Sequence, residues 1–442
     1  AAEFADQVGV VLTGRVELYA AMIDTIERAA ANDADAGVLY ASQVASQKNN
    51  LKRAQGELDG LRRSDAVGVR RRDEAAMLAW MGSQPHAVAT QRDIDAAAAV
   101  IAQSQSTRER NQLFDLMRSQ TQLLKSAMQL QRLALERGKP DAEREIGYQQ
   151  RDEALVEASL KQVQRRYAPQ VEKALLGELL TRYRTLPADQ HIAELDAVFG
   201  RDATQAAAAL EALYSATRLH DPEERLRLLR AAPAEVSAST DPLMQAAARL
   251  LPAQLRSEDA DKVIEGELLR LRPAYMRTLI AFRESQGQAV YPDANSTLRV
   301  SYGKVSSLVP RDGVHYTPLT TVQGIIEKHT GEDPFDAPQP LRDAIAKADF
   351  GSTVDPVLGT QTVNLMTNLD TTGGNSGSPV LDANGKLIGL NFDSNWEAVS
   401  ASWMFDPRYK RAIHVDVRYL RWLMGKVYPA PNLLREMELP LE

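Results

Sequence analysis

The chain has 442 residues, 44% hydrophobic and 25% charged, with a net charge of -7 and no cysteine. That length calls for two or three domains, and the acidic balance gives no reason to expect a nucleic-acid partner. Disulfides, a thiol nucleophile and cysteine-ligated metal are excluded, and no apolar run reaches the roughly 18 residues of a membrane span.

The first residues, Ala1-Ala2-Glu3-Phe4-Ala5-Asp6-Gln7-Val8, read as the inside of a helix rather than a native start. We therefore expect a fragment, so that the lack of a signal peptide says nothing about location. Up to about residue 290, Ala, Leu, Gln, Arg and Glu dominate, and the pattern is helical. The basic run Arg70-Arg71-Arg72 sits among acidic residues and reads as a solvated helix face.

From Ser106 to Gly138 one helix is expected. Leu113, Leu116, Met117, Leu124, Ala127, Met128 and Leu135 recur at helical spacing. Gly138 should terminate it in the left-handed conformation, with Pro140 blocking continuation. A second helix should carry Ile146, Leu155, Val156, Leu160, Val163 and Tyr167 inward and end before Pro169. Asp221-Pro222 and Asp241-Pro242 are helix starts: the carboxylate caps free amides and the proline fits the first turn. The methionines and leucines on these faces are core residues, not a cofactor box.

After residue 290 the composition shifts to Val, Thr, Gly, Asn and Asp with short apolar runs, and strands are expected. Ser296 to Tyr302 alternates with period two, as a half-buried strand does. Val380-Leu381-Asp382 and Lys386 to Leu390 flank Asn384-Gly385, a favoured hairpin turn. Just before this hairpin lies Thr371-Thr372-Gly373-Gly374-Asn375-Ser376-Gly377-Ser378-Pro379-Val380.

This stretch reads as the nucleophile loop of a serine peptidase. A serine hydroxyl needs a base to remove its proton, and the oxyanion formed needs fixed donors. Flanking glycines let the backbone turn tightly and aim amides at one spot. By chymotrypsin-like geometry these are the amides of Gly374 and Ser376. A plain Gly/Asn/Ser turn would not require two preceding threonines, Ser-Pro-Val and an Asn-Gly hairpin together. Of the six histidines, His86, His191 and His220 lie in helical sequence, His315 in a strand-like run, and His329 lacks an active-site context. His414 follows the serine, whereas the chymotrypsin-like order is His, Asp, Ser. The base and its aspartate are expected upstream, outside this sequence.

The run from Tyr291-Pro292-Asp293-Ala294-Asn295-Ser296-Thr297, through the Ser376 loop, to Gly389-Leu390-Asn391-Phe392-Asp393-Ser394-Asn395-Trp396-Glu397 resembles the dipeptidyl peptidases of serine peptidase family S46. Ile413-His414-Val415-Asp416-Val417-Arg418-Tyr419 is similar to that family's closing strand, and Ala45-Ser46-Gln47-Lys48-Asn49-Asn50-Leu51-Lys52 extends the resemblance into the helical part. The resemblance implies an α+β multidomain protein: an all-helical cap domain, here 1–290, followed by the C-terminal β-barrel of a chymotrypsin-like double barrel, here 291–442. It implies release of dipeptides from free N-termini, a periplasmic or secreted location and a homodimer. The histidines are scattered, the acidic residues do not cluster with them and no phosphate loop appears, so no metal or cofactor is expected.

By the same resemblance Ser376 is the nucleophile, Gly374 an oxyanion-hole glycine, and Asp393 the carboxylate that holds the substrate α-amine, with Asn49 in the same anchor. Ser394 falls at the position that sets specificity. There the family pairs glycine with large apolar residues before the cleaved bond, and arginine with Asp or Glu. Serine brings no charge, which favours an apolar or broad pocket, although its hydroxyl could bond an acidic side chain with help from elsewhere. Trp396 and Glu397 are expected to support this wall. Two other functions fit parts of the sequence: a chymotrypsin-like endopeptidase with a helical appendage, and a binding or scaffold protein with an inactive site.

Overall fold

A computed structural model describes residues 1–288, 290, 291 and 297–440. The chain forms two compact units. One comprises Ala1–Ala54 and Arg70–Val290; the other comprises Gln55–Val69 and Tyr291–Glu442. Within the second unit Gly60 lies so close to the turn at Trp396–Ser402 that an added Cβ would sit 2.3 Å from the Ser400 hydroxyl. A side chain there would push the two segments apart.

The first unit is helical. Its core gathers Met22, Leu123, Leu176, Leu179, Phe199, Leu243 and Met244. The stretch expected as one helix from Ser106 to Gly138 is two, Arg108–Gln120 and Gln122–Arg137. Thr121 between them is extended, at φ -101° and ψ 142°. The break exposes new amides to a partner distant in sequence: Gln122 and Leu123 N–H donate to the buried Glu172 carboxylate at 2.6 and 2.8 Å, and the Tyr214 hydroxyl joins them at 2.8 Å. Gly138 is right-handed, not left-handed (φ -70°). The carbonyls of Leu135 and Glu136 are met instead by the amides of Gly138 and Lys139, which closes the helix without a left-handed residue. Leu135 in this last turn is 43% exposed.

The next helix begins only at Glu153. Ile146 therefore lies outside it and is exposed. Val156, Leu160 and Val163 follow helical spacing and are buried, while Leu155, a fraction of a turn away, faces outward. Pro169 opens the following helix, Pro169–Arg184. The Asp-Pro starts behave as expected. Asp221 accepts from Glu223 N–H at the head of Pro222–Arg230. Asp241 accepts from Leu243 and Met244 N–H at the head of the 44-residue helix Pro242–Ser285. No helix of the described residues is long and apolar enough to cross a membrane.

The second unit holds the strands β1 (Leu308–Arg311), β2 (Val314–Tyr316), β3 (Leu319–Thr321), β4 (Thr362–Thr367), β5 (Pro379–Leu381), β6 (Leu387–Ser394) and β7 (Ala412–Asp416). β1 and β2 form a hairpin, and the other five form an antiparallel sheet in the order β3-β4-β7-β6-β5. This order is that of an open sheet, with no closed barrel among the described residues. Val322, Leu341, Phe350, Trp422 and Val427 pack as a core cluster of this unit, and the Trp422 indole N–H donates to the Asp349 carbonyl at 3.0 Å.

The strand expected over Ser296–Tyr302 does not form where it is described. Leu298, Val300 and Tyr302 are exposed. The segment is tied by side chains instead, Ser301 Oγ donating to the Asp370 carbonyl and Lys304 N–H to Asn368 Oδ1. Period-two alternation needs a neighbouring strand to become a ladder. Residues Pro292–Ser296 lie outside the described residues.

Candidate active site

The expected loop sits where β5 begins. The Asn384-Gly385 turn joins β5 to β6, with Gly385 at φ +77° and its N–H donating to the Asp382 carbonyl at 3.0 Å. β6 lies beside β5, so its backbone is available to the loop. Gly377 N–H donates to the Asn391 carbonyl at 2.7 Å, and Asn391 N–H donates to the Ser378 carbonyl at 2.9 Å. Inside the loop, Asn375 N–H reaches the Thr372 carbonyl at 3.1 Å, and the Asn375 side chain accepts from Thr372 N–H at 3.0 Å.

Gly374 and Gly377 have φ of +101° and +84°, in the left-handed region where a side chain is strained. Between them Ser376 is exposed. The N–H groups of Gly374 and Ser376 donate to no protein group among the described residues. Two unpaired amides beside an exposed hydroxyl can meet a developing oxyanion.

No described histidine bonds the Ser376 hydroxyl. His414 lies in β7, paired with Asn391 of β6 and Leu365 of β4. It is fully buried, and its Nε2 shares a hydrogen bond with Thr367 Oγ1 at 2.7 Å. Burial pushes its pKa down to about 4. An imidazole held neutral in the sheet interior is placed for packing. His315 sits in β2, exposed.

Asp393 and Ser394 end β6. The β6–β7 register slips between Asn391 and Asp393, so that Asp393 pairs with Ile413 and Ser394 with Ala412. Such a bulge re-aims the side chains beyond it. Asp393 is exposed, and its carboxylate accepts from Ser394 N–H at 2.7 Å. Ser394 is half-buried, and its hydroxyl accepts from Lys410 Nζ at 2.6 Å.

No sequence pattern marks Lys410. It lies 16 positions beyond Ser394, in no motif, and only the β6–β7 pairing brings the two together. Asn395 fixes the approach. Its N–H donates to the Arg411 carbonyl, its Oδ1 accepts from Arg411 N–H at 2.7 Å, and its Nδ2 donates to the Tyr409 carbonyl and to Glu397 at 2.8 Å each. Glu397 thus braces this wall. Trp396 is 53% exposed, with its ring edge close to Gly56. Asn49 belongs to the helical unit, exposed on the helix Ala34–Arg63. Among the described residues no group of three or more His, Asp or Glu is placed to hold a metal ion.

Comparison with known proteins converges on one family. The model of the family described as Peptidase S46 matches residues 1–439. An Asp/Glu-specific dipeptidyl-peptidase of Shewanella putrefaciens is 38% identical over 95% of this chain and 60% of its own length. Dipeptidyl-peptidase 7 of Porphyromonas gingivalis is 29% identical over 91% of this chain and 55% of its own. Among solved structures, Porphyromonas endodontalis DPP11 in complex with the dipeptide Arg-Asp matches with a TM-score of 0.74 and 26% identity, covering 99% of this chain and 62% of that one. The chain belongs to peptidase family S46. It spans about 60% of the length of the Shewanella relative.

Proposed function

We propose that this chain is the nucleophile-bearing part of a serine peptidase that releases dipeptides from the free N-termini of peptides. The observation that carries it is the Ser376 loop: an exposed serine between two left-handed glycines, with the amides of Gly374 and Ser376 beside it and unpaired among the described residues. Ser376 attacks the scissile carbonyl, and those amides receive the oxyanion. Asp393, exposed at the end of β6, pairs with the substrate ammonium and sets the register.

The base and its orienting aspartate come from a segment outside these 442 residues. The absence of a histidine bonded to Ser376 in the described residues supports this, as does the greater length of the relatives. In this reading the open five-stranded sheet belongs to the second half of a chymotrypsin-like double barrel. The protein works as a periplasmic or secreted homodimer. The Shewanella relative is named for Asp and Glu, and the DPP11 match holds Arg-Asp. Both favour an acidic residue before the cleaved bond over the apolar pocket that Ser394 alone suggests.

Product analysis of the full-length protein on an unblocked and an N-acetylated decapeptide tests the proposal. Successive dipeptides from the unblocked peptide alone, lost in Ser376→Ala, are expected. Internal fragments from both peptides would instead mark an endopeptidase.

A further inference from the structure

Lys410 is 3% exposed and has no ion-pair partner among the described residues. An ammonium taken out of water without a counter-ion is costly. Burial pushes its pKa down, and the charges of Asp370 and Asp393 pull it back up. Its described side-chain partner is the hydroxyl of Ser394. That contact has a direction. An ammonium can only donate, so the Ser394 oxygen accepts and its own hydrogen is left to donate elsewhere. The pair therefore presents a hydroxyl donor backed by a positive charge, a combination suited to a carboxylate. Asp393 is adjacent in the chain. Its carboxylate suits an ammonium, so the strand end places opposite charges side by side.

Resting on the peptidase reading above, we infer that Lys410, acting with the Ser394 hydroxyl, is the specificity-determining residue that reads an acidic side chain immediately before the scissile bond. A substrate with a free α-amine and an Asp or Glu at its second position matches both charges, the amine on Asp393 and the side-chain carboxylate on the Ser394–Lys410 pair. The charge sits behind Ser394 rather than on it, which is why the residue at the specificity position looks neutral.

The test uses the full-length protein and two dipeptidyl reporters that differ only in Glu against Gln at the second residue. Wild type should favour Glu by about tenfold or more in kcat/KM, and Lys410→Met should cut that ratio by about tenfold or more, with Lys410→Arg recovering part of it. A wild-type ratio near one overturns the assignment while leaving dipeptide release intact. So does a Lys410→Met enzyme that loses both activities equally. Failure of wild type to release dipeptides from either reporter overturns this assignment, and failure also on a third reporter with Leu at the second residue overturns the peptidase reading with it. Should Lys410→Met not fold, competition between the free dipeptides Ala-Glu and Ala-Gln for wild type decides: tighter binding of Ala-Glu is expected, and equal affinity overturns the proposal.

Discussion

Gly377 donates its amide to the Asn391 carbonyl at 2.7 Å, and this bond ties the serine loop to the middle of β6. Asn391 returns a second bond, from its own amide to the Ser378 carbonyl. Two residues further along the same strand stands Asp393, and then Ser394. One strand thus holds the candidate nucleophile loop, the candidate amine site and the candidate specificity position. A shift of β6 would move all three together, which is how a short sheet can keep a reaction centre and its register aligned.

Gly377 has φ of +84°, whereas Gly373 is absent from the positive-φ glycines, and neither would meet a neighbour with an added Cβ. Gly377→Ala should therefore strain the backbone by roughly 1–2 kcal/mol and lower kcat/KM about tenfold or more. Gly373→Ala should change it by less than about threefold, within the spread of an unstrained surface substitution. Steady-state kinetics of both variants on one dipeptidyl reporter check this, and equal losses would remove the conformational argument.

Asp393→Asn keeps the shape and the bulge but removes the charge. A hydrogen bond to an ionised group contributes about 1.5–3 kcal/mol, so the loss on free-amine substrates should lie roughly between tenfold and 150-fold. A titration of rate against substrate concentration should place most of it in KM. An effect below about threefold, smaller than even a weak hydrogen bond to an ionised group, would take Asp393 out of the amine site.

His414 couples the sheet to pH. Unfolded, a histidine takes up a proton near pH 6.5, while folded His414 resists protonation until about pH 4. Between those values the unfolded chain binds more protons, so acidification favours unfolding, by up to about 3 kcal/mol at full extent. Denaturant unfolding at pH 7 and pH 4.5 should show this loss in wild type, and His414→Gln should flatten it. An unchanged slope in the variant would assign the acid sensitivity to other groups.

Glu172 receives the Gln122 and Leu123 amides and the Tyr214 hydroxyl with no exposure to solvent. Glu172→Ala would leave all three donors buried and unpaired, at a cost of about 3 kcal/mol or more. Glu172→Gln retains one acceptor oxygen and should cost less. Urea unfolding followed by far-UV circular dichroism reads both, and a loss below about 1 kcal/mol for the alanine variant, the size of one ordinary hydrogen bond, would show that water replaces the carboxylate.

What the sequence determined by itself was local. The Asp-Pro caps, the Asn-Gly hairpin and the glycines around Ser376 are each set by backbone sterics and by donors two or three residues away, so they read directly from neighbouring letters. The change from helix to strand near residue 290 and the family resemblance were legible for the same reason, as composition and contiguous motifs. The tertiary structure decided what depends on distant partners. The expected helix from Ser106 to Gly138 breaks at Thr121, where a carboxylate about 50 residues on receives the freed amides. The alternation of Thr297–Tyr302 finds no strand to pair with among the described residues. Ser394 looked neutral because its cation, Lys410, reaches it only through the pairing of β6 with β7. Charge acts through space, and the letters beside Ser394 carry no record of what the sheet folds against it.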